Sequence, residues 1–82
     1  MTGEDDVTSL REFGHRVRVQ RVISGDLTQE QLAARAGVTR NVVSAVERGE
    51  QCPNLVRARR LAAALGVPLT VLTGDQVEGL PS

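Results

Sequence analysis

An all-α fold of five short helices is what this sequence of 82 residues predicts. Three observations carry that prediction. Glycines at positions 25, 37, 49, 66 and 74 each follow a segment of helical period, the place where a left-handed residue ends a helix. Side chains suited to N-caps stand upstream of the same segments. No stretch alternates apolar and polar residues between turn signals, so no sheet is expected.

The first helix is expected over residues 10–24, opened by Ser9-x-x-Glu12 as a capping box. Thr28-x-x-Gln31 opens the second, over 29–36, by the same reciprocal pairing. Thr39 caps a third over 40–48, and Asn54, behind Pro53, caps a fourth over 55–65. Pro68 suits the first turn of a short fifth helix, 68–73, where its missing N–H is not needed. Only Gly37-Val38-Thr39 joins the second helix to the third. Leu32, Ala33 and Ala36 form the apolar side of one, Val43 and Val46 that of the other, with Val38 tucked in from the turn. Two short helices joined by a three-residue glycine turn describe a helix-turn-helix. The folded domain is expected over 9–74, between an acidic tail at 1–8 and a short tail at 75–82.

A chain of this length has room for one domain. The formal net charge is zero, yet residues 11–60 hold all ten arginines against five acids, a net of +5. A basic middle between acidic ends is where a polyanion binds. Cys52 is the one cysteine and His15 the one histidine, too few for a disulfide or a zinc site, so neither metal nor cofactor is expected. The acidic start is no signal peptide, and the longest apolar stretch, 61–72, is too short to span a bilayer. No membrane partner is expected, and the location expected is the cytoplasm, with the nucleoid. Phe13 is the one aromatic residue, which removes the stacking platforms that single-strand and many RNA binders use. There is no carboxylate pair, nucleophile with a base, or phosphate loop with lysine, so an enzyme is not expected. Arginine without lysine, with abundant alanine and valine, suits a GC-rich bacterial genome.

With Val43 and Val46 inside, the opposite face of the third helix carries Arg40, Asn41, Ser44, Ala45 and Arg48. Arginine forks onto guanine O6 and N7, asparagine onto adenine N6 and N7, and serine bonds either kind of edge. Ala45 keeps the helix slim beside a thymine methyl. Gln29 and Thr39 lie at helix N-termini, where amides and short polar side chains hold phosphate. A solvated helix face is the plainer reading of the same residues.

From Phe13 to Leu72 the chain resembles the lambda-repressor-like, XRE/Cro-type helix-turn-helix family. The residues that carry the resemblance are Gly14-x-x-Val17-Arg18-x-x-Arg21, Leu27-Thr28-Gln29-x-x-Leu32-Ala33 with Ala36-Gly37-Val38, and Val43-Ser44-x-Val46-Glu47-x-Gly49. Pro53 and Leu61-Ala62-x-x-Leu65-Gly66-Val67-Pro68-Leu69 complete the series. The resemblance implies a compact five-helix domain that binds double-stranded DNA as a homodimer, its third helix in the major groove. Carried over by position, Arg40, Asn41, Ser44 and Ala45 are candidates for reading bases. Gln29, Thr39, Arg48, Gln51 and Arg18 are candidates for phosphate contact or positioning. Arg21 and Glu47 match a pair that bridges the first helix to the end of the third, the plainer alternative being a surface contact. Val71 is the first candidate for a dimer interface, followed by Leu72 and Val77, with core packing the competing use of Leu72. The function implied is a transcriptional regulator, a repressor or autoregulator, on a palindromic operator. An antitoxin or restriction-modification controller of the same fold is the alternative, as is an adaptor that binds protein and no longer reads DNA.

Several residues depart from that pattern. Asp26 is an extra residue between Gly25 and Leu27, and Gln20 stands where the resemblance implies an aliphatic side chain. Val19, Val22 and Ile23 fall on the side of the first helix that should face solvent. They are tolerated surface residues, or follow a bend near the helix end, or form a contact surface for a second copy or a partner protein. Cys52 reads as an ordinary loop residue, with a redox switch as the sharper alternative, and His15 as a solvated helix residue.

Overall fold

The computed structural model describes residues 3–74. Five helices follow one another: α1 Gly3–Ile23, α2 Gln29–Ala36, α3 Arg40–Glu47, α4 Leu55–Leu65 and α5 Leu69–Thr73. There is no strand among the described residues. The expected glycines all carry positive φ, and α2 and α4 have the bounds read from the sequence because both of their ends are signalled.

At α2 both halves of the capping box form. Thr28 Oγ1 accepts from the Gln31 N–H at 3.0 Å, and Gln31 Oε1 accepts from the Thr28 N–H at 2.8 Å. Asn54 Oδ1 caps α4 by accepting from the Arg57 N–H at 2.8 Å. Pro68 is the residue before α5 rather than its first. The expectation for α1 is corrected: the helix begins at Gly3, so Ser9 lies inside it and opens nothing. A capping box permits a start without imposing one, and no glycine or proline between positions 4 and 13 stops the helix from running further back.

One apolar core joins the elements. It contains Val17 of α1, Leu27 of the following loop, Leu32, Ala33 and Ala36 of α2, and Val43 and Val46 of α3. Leu61, Ala62 and Leu65 of α4 and Leu72 of α5 complete it, with Phe13, Val38, Val42, Val67 and Leu69 packed against its edge. Small residues at crossings let helices approach. The closest approach is at Gly14, midway along α1: a Cβ there would overlap the Val46 carbonyl oxygen and lie 2.9 Å from that of Glu47. The middle of α1 therefore rests directly on the C-terminal backbone of α3.

Asp26 has a structural role. Gly25 and Asp26 both have positive φ, 104° and 58°, the latter in the left-handed region that Asp tolerates better than most residues. The wide turn they make lets the Leu27 N–H donate to the Arg21 carbonyl at 3.1 Å and delivers Leu27 to the core. Leu72, an interface candidate by sequence, is corrected as well: it is fully buried. On a helix of five residues the i, i+3 pair Leu69 and Leu72 shares the inward side, and Val71 is left half-buried on the flank. Val77 lies outside the described residues.

Candidate nucleic-acid interface

α3 is short and amphipathic, and its valines anchor it. Val43 and Val46 are buried, Arg40 and Asn41 are exposed, and Ser44 and Ala45 are half-exposed. Thr39 Oγ1 caps the helix by accepting from the Val42 N–H at 3.2 Å, which leaves its hydroxyl hydrogen to donate outward. Arg48, exposed, follows the last turn as the C-cap. Asn41 and Arg48 are seven residues apart on one face, about 10 Å along the axis, close to the roughly 12 Å width of a major groove.

The C-terminal end of that row runs into a polar notch of about 230 Å³, lined by Arg18, Arg21, Gln29, Glu47 and Arg48. Three elements converge there on one carboxylate. Arg21 meets Glu47 in a two-pronged ion pair, with Nε 2.6 Å from Oε2 and Nη2 3.0 Å from Oε1. Gln29 Nε2 donates to the same Oε1 at 3.0 Å. The remaining Arg21 nitrogen, Nη1, donates to the Leu27 carbonyl at 2.6 Å. One guanidinium thus ties α1 to α3 and to the α1–α2 loop, with only 14% of the Arg21 side chain and 4% of the Glu47 side chain exposed. The hydrogen bond to Glu47 raises the Arg21 pKa above its ordinary value, so it is a permanent cation. Glu47 is neutralised by this clamp. That leaves Arg18 and Arg48 as the cations that border the notch, beside the start of α2.

The sequence-derived candidates are therefore distributed unevenly. Arg40, Asn41, Ser44, Ala45 and Arg48 form one continuous surface, and Arg18, Gln29 and Arg48 meet at the notch. The Gln29 side chain is already engaged with Glu47. Gln51 is half-buried in the loop that follows. Two features were missed. Glu50 Oε1 lies 3.0 Å from Arg48 Nη2, a pairing foreshadowed by Arg48-Gly49-Glu50, since a left-handed glycine turns the chain back. Leu55 and Val56, at the start of α4, are each 57% exposed, and Val56 was visible as an apolar residue off the inward period of Ala58, Leu61, Ala62 and Leu65.

An all-α domain with a three-residue glycine turn and a polar outward α3 defines a helix-turn-helix protein. Comparison with known proteins agrees: the helix-turn-helix family model HTH_3 matches residues 17–72, more than half the chain. The protein belongs to this XRE-type family of DNA-binding transcription regulators. It is 55% identical over 40 residues to an uncharacterised HTH-type transcriptional regulator of Methanothermobacter thermautotrophicus, a match over 49% of this chain and 58% of that one. It is 40% identical over 63 residues to the cryptic phage CTXphi transcriptional repressor RstR of Vibrio cholerae, over 77% of this chain and 56% of the repressor. The chain thus spans little more than half the length of these two relatives. The solved structure of the restriction-modification controller protein C.AhdI from Aeromonas hydrophila superposes with a TM-score of 0.76 at 40% identity, over 79% of this chain and 97% of that one. No helix among the described residues is long and apolar enough to cross a membrane.

Proposed function

We propose that the protein is a sequence-specific regulator of transcription that binds a palindromic DNA operator as a homodimer, with α3 in the major groove. The observation that carries this reading is the surface from Arg40 and Asn41 to Arg48, which pairs base-reading chemistry along α3 with a cationic notch at its end. Arg40, Asn41 and Ser44 read base edges; Arg18, Arg48 and the α2 amides hold the backbone. A repressor acts here by occupying a promoter.

The geometry favours the start of α4 for the second copy. A two-fold axis through the operator has to pass beside α3, so the interface has to flank the reading surface. Leu55 and Val56 follow the α3–α4 loop, and Leu55, Leu10, Phe13, Pro53 and Leu69 border an apolar groove of about 650 Å³. The other exposed apolar group, Val19, Val22 and Ile23, lies at the far end of α4, where Ser24 Oγ donates to the Leu65 carbonyl at 3.4 Å. Ten residues of helix, about 15 Å, separate the two ends. Val56→Asp is expected to leave a folded monomer by sedimentation, with unchanged melting and operator affinity lower by about 100-fold. An unchanged dimer would move the interface to Val71.

Selection from a random double-stranded DNA library is the test of the function. A two-fold motif is expected, with half-sites about 34 Å apart; a folded protein that enriches nothing overturns the reading. Arg40→Ala is expected to lower operator affinity by about 1–3 kcal/mol per half-site and to relax the preference at one or two base pairs. The likeness to C.AhdI over nearly that whole chain favours one second reading, a restriction-modification controller. The position of the selected motif in the genome, upstream of a restriction-modification gene pair or elsewhere, separates the two.

A further inference from the structure

Arg48, the cation shared by the α3 surface and the notch, is already occupied. Its Nη2 lies 3.0 Å from Glu50 Oε1, and its Nη1 donates to Ser44 Oγ. Glu50 is held in place by the fold. Gly49, at φ 72°, reverses the chain; its N–H donates to the Val46 carbonyl at 3.0 Å, and the Glu50 N–H donates to the Ala45 carbonyl at 2.9 Å. This closing turn of α3 brings the carboxylate back over the residue that precedes it. It is hard to vary, because a Cβ at Gly49 would sit 3.0–3.1 Å from Arg11 of α1 as well as in a left-handed conformation.

We propose that Glu50 is an intramolecular stand-in for a DNA phosphate, one that holds Arg48 in the free protein and competes with the DNA backbone for it. The inference rests on the proposed reading of α3. A carboxylate and a phosphate present the same kind of oxygen to a guanidinium, so they compete for it. Both partners are largely exposed, at 56% and 60%, so the pair is weak and exchangeable. Glu50 thereby tunes affinity for the DNA backbone in general. It trims the sequence-independent part of binding, which every stretch of the genome offers in competition with the operator. It also ties together two different roles, since Arg48, on turning to a phosphate, gives back to the Ser44 hydroxyl the acceptor site it had occupied, while the Ser44 O–H can donate throughout.

The test compares the native protein with Glu50→Gln, Glu50→Asp and Glu30→Gln. The probe is a labelled random-sequence duplex of about 20 base pairs, titrated between about 50 and 200 mM salt. Glu50→Gln is expected to tighten binding about two- to fivefold at the low-salt end and to steepen the slope of log affinity against log salt by up to about 0.9. Glu50→Asp keeps the charge but shortens the reach, and is expected to move part of the way in the same direction. Glu30→Gln removes the same charge from the exposed first turn of α2 and is expected to change binding less. Glu50→Asp indistinguishable from the native protein, or Glu50→Gln no stronger than Glu30→Gln, overturns the stand-in and leaves the proposed function intact. A native protein that binds neither this duplex nor any selected one overturns both.

Discussion

Gly14→Ala is expected to destabilise the protein by about 3 kcal/mol or more, although the same change at an exposed helix position would stabilise it by about 1 kcal/mol. The two effects have opposite signs, so the sign alone is informative. Alanine lowers the conformational entropy that the unfolded chain loses, which favours α1. Against that, the new Cβ would overlap the Val46 carbonyl oxygen and crowd that of Glu47. Both are backbone atoms, with no flexible side chain to swing aside. The helices therefore have to separate, which opens the layer formed by Val17, Val43 and Val46. Urea unfolding measures the loss; a variant as stable as the native protein would show that α1 and α3 do not touch there. Because the displaced helix is α3, operator affinity is expected to fall as well at temperatures where the variant is still folded.

The second large effect is expected at Arg21. Arg21→Ala removes both prongs of the ion pair with Glu47 and the bond to the Leu27 carbonyl together. The carboxylate that remains is 4% exposed and keeps only the Gln29 amide. Leaving a desolvated charge with a single neutral donor costs more than the intact pair contributed, and about 2–3 kcal/mol is expected. The same physics makes the double variant Arg21→Met with Glu47→Leu less damaging than Arg21→Ala alone, because no charge is stranded. A four-way cycle of unfolding free energies checks this. If the two losses simply add, the pair is an ordinary surface contact.

What could be read from the sequence depended on whether the signal was local. The bounds of α2 and α4 follow from a cap at one end and a glycine at the other, both short-range chemistry. The start of α1 did not, since Ser9 and Glu12 fit a helix interior as well as a cap. Val43 and Val46 pointed to the outward face of α3 by period alone, so Arg40, Asn41 and Ser44 were identifiable as neighbours. Long-range approach was beyond reach. Period gives no sign that Gln29 bonds Glu47, that Arg21 reaches Leu27, or that Gly14 meets a carbonyl oxygen. Leu72 was ambiguous because five residues hold too little period to separate an inward face from an outward one. Leu55 follows the inward spacing of Ala58, Ala62 and Leu65, and is exposed because α1 and α5 leave the groove beside it open.

The clamp at Glu47 also determines how the molecule can come apart. The C-terminal turn of α1, the loop that carries Leu27, the start of α2 and the end of α3 share one guanidinium and one carboxylate. Neither α1 nor α3 can open alone without stranding the other's charge, and opening the loop or the start of α2 costs that pair a hydrogen bond. In amide hydrogen exchange, the N–H of buried Leu27, bonded to the Arg21 carbonyl, should therefore exchange with the core amides of Val43 and Val46 in one cooperative event rather than by fraying. The outward surface of α3 and the notch beside it then appear and disappear together. On the proposed function, no half-open state would cling to DNA by its phosphates while unable to read the bases.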